Sequence, residues 1–242
     1  MKSITILSKL KNLFLDHSKF NKNITKIYQE KTYLDAYSEH TDMRVDEDPH
    51  LAIGGMWEEI GKLQFDFFIK KGLQLHHTLL DIGCGTLRGG RHFIRYLNTK
   101  KYFGFDISDK AIAFGKMLVE KEGLIEKKPV LFFSQNKDLK FTEFQNLTFD
   151  FLLAQSVFTH LLPENIKECF QNVGRIMHSD TIFFFTFNEA KSYKQTGLKD
   201  FRYPFSFFES LAENNHFNLC SHVDDYPHPK GQKMLSISKK EP

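Results

Sequence analysis

Short apolar runs alternate with amphipathic stretches along most of this 242-residue chain, and that alternation restricts the fold more than any other feature of the sequence. The apolar runs fall at 78–82, 101–105, 130–133, 149–154 and 181–187. Between them, 91–97, 110–121 and 164–177 carry helical periodicity, with Ile166, Phe170, Val173 and Met177 on one face of the last. Upstream, MWEEIGKLQFDFFIKKGL places Ile60, Leu63, Phe67 and Phe68 on one helical face and supplies Gly72 as a stop. Strands and helices in this order give βαβ units, hence an α/β fold with a parallel sheet covered by helices on both faces. Near-continuous apolar strands agree, because both of their faces are buried. The end of the chain breaks the rhythm. A helical stretch at 206–214 precedes strand-like runs at 217–223 and 233–238, joined only by DDYPHPKGQ. That connection is too short for a crossover helix, so the last two strands are expected to be antiparallel neighbours.

Residues 1–55 read differently. They are polar and Lys-rich without a strand-like run, which predicts one or two helices plus a loop outside the sheet, a helical N-terminal extension or lid. Ile4, Leu7, Leu10 and Phe14 share a helical face suited to packing on the chain's own domain or on a second subunit, so a homodimer is permitted. The polar face is only modestly basic, which disfavours a membrane-surface role. Ser8, Lys9 and Lys11 interrupt any signal-peptide core, and no run approaches the roughly 20 apolar residues that span a bilayer. Cys84, Cys169 and Cys220 lie far apart with no CxxC pair, which argues against a disulfide framework or a zinc site and for a reducing cytoplasm. With 33 basic and 30 acidic residues, no global field calls for a nucleic acid partner. The 26 Phe residues against one Trp are expected mainly to fill the core.

The segment LLDIGCGTLRGGRHF, 79–93, runs from strand through a glycine loop into helix. No Lys-Ser or Lys-Thr follows the glycines, which excludes a Walker loop. A dinucleotide fingerprint would need a third Gly at position 88, where Arg88 stands; the glycines come at Gly89 and Gly90. Asp81 at the loop entry would repel a pyrophosphate and suits a ligand carrying a cation. Asp106 ends the next strand and can accept both hydroxyls of a ribose. The expected ligand is a ribonucleoside without a pyrophosphate, bearing a positive group.

LLDIGCGTLRGG, YFGFDIS and FDFLLAQSVFTHL, in that order over about 57–238, resemble the class I S-adenosylmethionine-dependent methyltransferases, in particular bacterial small-molecule and surface-polysaccharide enzymes. The resemblance implies a doubly wound, Rossmann-like seven-stranded sheet, six strands parallel and the last antiparallel, forming a methyltransferase domain over 56–242. It implies S-adenosylmethionine as cofactor. Asp81, Gly83, Cys84 and Gly85 would then line the methionine and ribose portion, Asp106 the ribose hydroxyls, and Ile107 the adenine. The adenine edge would fall to Ser134, Gln135 or Asn136, with Gln135 the favoured choice, and Gln155 and Ser156 would face the reacting methyl. Arg88 has three readings: it holds the cofactor carboxylate, binds an anionic substrate, or pairs with Asp81 or another acid.

Methyl transfer from a sulfonium needs mainly alignment of nucleophile, methyl and sulfur. A hydroxyl acceptor also benefits from a base. Two histidines are candidates: His160 in SVFTHLLPEN, after the fourth strand, and His228 between Pro227 and Pro229. His160 is read equally as a structural residue near a helix start. Asp224 and Asp225 are placed to orient His228 or bind a cation, but no metal-ligand spacing supports a metal site. Arg44, His50 and Trp57, around Gly54 and Gly55, form either an acceptor wall and lid or an ordinary connector; Tyr226 joins the acceptor contacts. No [ND]PP[YF] tetrapeptide and no Pro-Cys dipeptide occurs, which turns the reading away from nucleic acid acceptors. The favoured acceptor is a small polar molecule such as a sugar, sugar nucleotide or phosphorylated precursor, by family analogy. A nicotinamide-dependent oxidoreductase, a non-catalytic cofactor-binding subunit, and a nucleic acid or protein methyltransferase are the alternatives.

Overall fold

The apolar runs become the strands of one sheet in a computed structural model of the chain that describes residues 22–240. They are β1 (Leu79–Ile82), β2 (Tyr102–Asp106), β3 (Val130–Phe133), β4 (Phe149–Ala154), β5 (Met177–Phe187), β8 (Phe217–Ser221) and β9 (Lys233–Lys239). The two-residue strands β6 (Lys194–Gln195) and β7 (Phe201–Arg202) form a separate ribbon. The order in the sheet is β3-β2-β1-β4-β5-β9-β8. β1 to β5 are parallel, and β9 runs antiparallel to both β5 and β8. Six strands thus share one direction and the last opposes them, the arrangement expected from the short final connection.

Alternation along the central strands splits the core into two halves. Leu152, Phe183 and Phe185 face α7 (Pro163–Val173) and α8 (Phe205–Asn214). Phe151, Leu153 and Phe184 face the other way, with residues of α4 (Trp57–Lys70), α5 (Gly90–Tyr96) and α6 (Asp109–Lys121). Phenylalanine fills both halves. Phe68 and Phe184 meet edge to face at 5.1 Å, the geometry favoured by the ring quadrupole.

β5 starts four residues before the apolar run that predicted it. α7 ends at Val173, a 3-10 turn covers Gly174–Ile176, and Met177 is already paired with Phe149. The register then slips between Phe149 and Phe151, and Thr181 Oγ1 donates to the Phe149 carbonyl at 2.5 Å. The polar residues His178, Ser179 and Asp180 sit in this irregular stretch, which masks the strand's start in the sequence.

Residues 22–30 are helical (α1) and are followed by α2 (Tyr33–Glu47) and the single turn α3 (Pro49–Ala52). The Thr32 side chain caps α2 by accepting from the Asp35 N–H. α2 lies across the C-terminal edge of the sheet: Ser38 Oγ donates to the Ile107 carbonyl at 2.6 Å, and Ser108 Oγ donates to Asp42 Oδ1 at 2.6 Å. The amphipathic face of Ile4, Leu7, Leu10 and Phe14 lies outside the described residues. Among the described residues, no helix is long and apolar enough to cross a membrane.

Candidate active site

β1 delivers its C-terminus into a turn that no ordinary side chain fits. Gly83 and Gly85 have φ of +67° and +55°. A Cβ on Gly83 would lie 2.6 Å from Val157 Cγ2, and one on Gly85 would lie 2.8 Å from Ile53 Cγ2. The Gly85 N–H donates to Asp106 Oδ2 and the Ser108 N–H to Asp106 Oδ1, each at 2.9 Å, so the end of β2 is tied to the turn of β1. Tyr102 Oη donates to Asp81 Oδ2 at 2.7 Å. Burial pushes the Asp81 carboxyl up to about 7, against the Tyr102 hydrogen bond. Burial also raises Asp106 to about 6, against the hydrogen bonds from Ser108 and Gly85. Gly89 and Gly90 do a different job. A Cβ on Gly89 would strike Gln64 Oε1 at 1.7 Å, and one on Gly90 would strike Tyr102 Oη at 2.4 Å. These two glycines let α4 and Tyr102 approach the start of α5.

The turn floors a cleft of about 790 Å³ at the C-terminal edge of the sheet. Asp81, Gly83, Gly85, Asp106, Ile107 and Gln155 line it. Tyr37, His40 and Arg44 of α2 also line it, with His160, Lys199 and Arg202. Cys84 also borders the cleft, but its Sγ turns inward: a Cβ on Gly104 would lie 3.0 Å from it, and burial pushes the thiol up. Arg88 is buried and forms no hydrogen bond to Asp81. Its Nη1 donates to the carbonyls of Ile53 at 3.0 Å and Gly55 at 2.9 Å, and its buried Nε has no partner among the described residues. Burial draws the guanidinium down to about 10. Thr86 Oγ1 donates to the Pro49 carbonyl at 3.0 Å, and Lys230 Nζ donates to that of Gly54. The segment from Pro49 to Gly55 is therefore pinned over the glycine turn from three sides.

A polar network occupies the tip of β4. Ser156 has a φ of +60°, unusual for a side chain with a Cβ, and Thr186 Oγ1 accepts from its N–H at 2.7 Å. Gln232 Oε1 accepts from Gln155 Nε2 at 3.1 Å, from Ser156 Oγ at 3.0 Å and from Thr186 Oγ1 at 2.8 Å. Tyr226 Oη donates to Gln155 Oε1 at 2.8 Å from behind.

Both candidate histidines reach the cleft. His160 Nδ1 lies 2.8 Å from the Lys199 carbonyl. A carbonyl only accepts, so Nδ1 is assigned the proton and Nε2 keeps its lone pair. Burial, then the Lys199 charge, lower His160 to about 3. Both nitrogens of His228 face donors, Nδ1 the Lys230 N–H at 3.2 Å and Nε2 the Gln155 side-chain nitrogen at 3.3 Å, and a neutral imidazole can accept from only one of them. Burial, then Arg88, lower His228 to about 4. His228 is 7% exposed, so its proline-flanked loop folds inward.

Several residues expected at the site lie elsewhere. Gln135 is exposed and outside the cleft; β3 is followed by a turn in which Lys137, at a φ of +52°, Asp138 and Leu139 form the wall instead. His50 and Trp57 stack at 4.1 Å on the outer side of the α3–α4 connection, with the Arg91 guanidinium 5.4 Å above the indole. They do not line the cleft. Tyr226 is buried behind Gln155 and supports that side chain rather than a ligand. Asp225 points to α4, pairing with Lys70 at 2.6 Å and Lys71 at 2.7 Å, and these lysines hold it down at about 2. No group of three metal-ligating side chains exists among the described residues. Arg44 does line the cleft, as do Tyr37, His40, Lys199 and Gln232, which sequence reasoning did not single out. The only sequence signal for them was spacing: Tyr37, His40 and Arg44 fall three and seven apart on α2, one helical face.

A family model described as a methyltransferase domain matches residues 79–180. Among solved structures, a TehB-like SAM-dependent methyltransferase from Corynebacterium glutamicum is 19% identical at a TM-score of 0.58, covering 84% of this chain and 99% of its own. Magnesium protoporphyrin IX methyltransferase from Synechocystis PCC 6803, with bound SAM, is 12% identical at a TM-score of 0.59, covering 83% of each chain. A phosphoethanolamine N-methyltransferase from Haemonchus contortus is 12% identical at a TM-score of 0.68, covering 87% of this chain and 61% of that one.

Proposed function

We propose that this chain, which has the fold and over residues 79–180 the matched domain of a methyltransferase, is a class I S-adenosylmethionine-dependent methyltransferase that methylates an oxygen of a small polar acceptor, such as a sugar, sugar nucleotide or phosphorylated precursor. The observation that carries the reading is the pair of buried carboxylates, Asp81 and Asp106, flanking a turn emptied of side chains by Gly83 and Gly85. This cradle suits S-adenosylmethionine. Asp106 has lone pairs remaining for ribose hydroxyls beside its two backbone donors. Asp81 suits the cationic methionine portion, and the unpartnered Nε of Arg88 marks a buried donor near the carboxylate end. When bound there, S-adenosylmethionine supplies an activated methyl on a leaving group that departs neutral.

The chain's own residues orient the reaction and manage the proton. The Gln155–Ser156–Gln232 network fixes the tip of β4, where the reacting methyl would lie. An acceptor hydroxyl held between this tip and His160 would turn its oxygen toward the methyl that bound S-adenosylmethionine would supply and its proton toward the imidazole. Its proton passes to His160 Nε2, and the Lys199 carbonyl, already accepting from Nδ1–H, holds the imidazolium that results. His160 is favoured over His228 as the base because its Nε2 keeps an open lone pair, whereas both ring nitrogens of His228 already face N–H donors.

The test is transfer of radiolabelled methyl to fractionated cell extract. Label in a small-molecule fraction that is stable to conditions cleaving carboxyl esters, and that falls sharply with His160→Ala, is expected. Label on macromolecules, or on nitrogen, would overturn the acceptor reading; cofactor binding without any transfer would make the chain a binding subunit.

A further inference from the structure

The cleft carries a basic lining. Arg44, Lys199, Arg202 and Lys230 all line it. Tyr37 and Arg44 are seven residues apart on one face of α2, about 10 Å along the helix axis. Lys199 Nζ sits 5.5 Å from the centroid of the Tyr37 ring, and that ring lies 5.5 Å from the ring of His160. Lys199 thus stands beside the proposed base.

Few acids answer them. Arg44 pairs with Glu47 at 3.2 Å on an exposed face. Lys230 and Arg202 bond to backbone carbonyls, of Gly54 and Glu189. Lys199 is half-buried and has no carboxylate within 4 Å of its Nζ among the described residues; neighbouring Asp200 is half exposed and lies 3.5 Å from His160 Nδ1. The Lys199 ammonium is held below its ordinary range by burial, against the Asp200 charge, with Arg44 and Lys230 adding repulsion. A cation withdrawn from water without a counter-charge is costly, and a ligand that supplies the charge recovers that cost.

Resting on the methyltransferase reading above, we propose that the acceptor bears an anionic group, a phosphate or a carboxylate, seated between Lys199, Arg44 and Lys230 beside His160. A neutral sugar would leave Lys199 with only the half-exposed Asp200 charge to offset its burial, whereas an oxyanion accepts charge-assisted hydrogen bonds from it. The same anion opposes the Lys199 charge that weakens His160 as a base.

Calorimetric titration of the full chain with inorganic phosphate, and separately with acetate, each with and without saturating S-adenosylhomocysteine, tests this. Saturable binding of at least one anion is expected; the arm that binds more tightly distinguishes phosphate from carboxylate. Lys199→Met keeps the apolar stem and should weaken that binding about tenfold or more, with S-adenosylhomocysteine affinity retained as the check of folding. Lys199→Arg should restore most of it. Absence of saturable binding of either anion, or equal binding by Lys199→Met, overturns the proposal. If S-adenosylhomocysteine alone fails to bind the parent chain, the cofactor reading fails instead, and the cofactor-free arms still decide the anion site.

Discussion

His160 and His228 show how hydrogen-bond partners decide what an imidazole can do. The carbonyl of Lys199 leaves His160 an open lone pair, whereas the Lys230 N–H and the Gln155 amide nitrogen both turn donors on His228. His160→Ala is therefore expected to lower turnover by roughly 10² to 10⁴-fold with cofactor affinity little changed, as steady-state kinetics and calorimetry would show. Asp81 carries a pH signature. Its folded carboxyl is raised by burial from 3.8 to about 7. The stability this group contributes is present at low pH and is lost as the pH rises through about 7, where the buried carboxylate becomes charged. A cationic ligand prefers the charged form, so binding releases a proton, and S-adenosylmethionine affinity should climb with pH up to about 7 and then level off. Asp81→Asn should flatten that slope; a slope that survives in the variant would mean that another group governs it. Asp106→Ala should weaken cofactor binding, because it removes both the ribose acceptor and the partner of the Gly85 N–H.

Among the elements, the start of α5 is packed most tightly. Gly90→Ala would drive a Cβ into Tyr102 Oη, the group that holds Asp81. Overpacking of this kind costs about 1 to 3 kcal/mol, so chemical denaturation should show that loss together with weakened cofactor binding. Gly89, Gly90 and Arg88 also mark where sequence reading stopped. The glycine loop was recognisable because positive-φ turns leave a compositional trace in Gly83 and Gly85. That Arg88 reaches the carbonyls of Ile53 and Gly55 was not, because those acceptors are main-chain groups more than 30 residues away, invisible to side-chain spacing. Gln135 was misplaced for a related reason: position after a strand end is set by the turn that follows, and the chain turns through Lys137 before the wall begins. The strands were legible because burial on two faces forces unbroken apolar runs. α2 was not legible as a site wall, since its cleft-facing residues are Tyr, His, Thr and Arg, which look like any solvated helix.

At the scale of the whole molecule, the cleft joins parts of the chain that are otherwise distant: the glycine turn, α2, the Lys199 loop and the His228 loop. A ligand filling it should stabilise all of them together. S-adenosylhomocysteine at about a hundred times its Kd adds about 2.7 kcal/mol, which for a chain of this size should raise Tm by roughly 5 to 10 °C in thermal denaturation. The position of β9 has a consequence of another kind. It slots between β5 and β8, both of which precede it in the chain, and its residues Lys233–Ile237 pair with Phe183–Phe187. Until that last segment arrives, the edge of β5 is an unpaired ribbon of FFFTF main chain, a template for joining a second molecule edge to edge. A ribosome stalled shortly before Lys233 would release a chain whose hazard is clumping rather than mere inactivity.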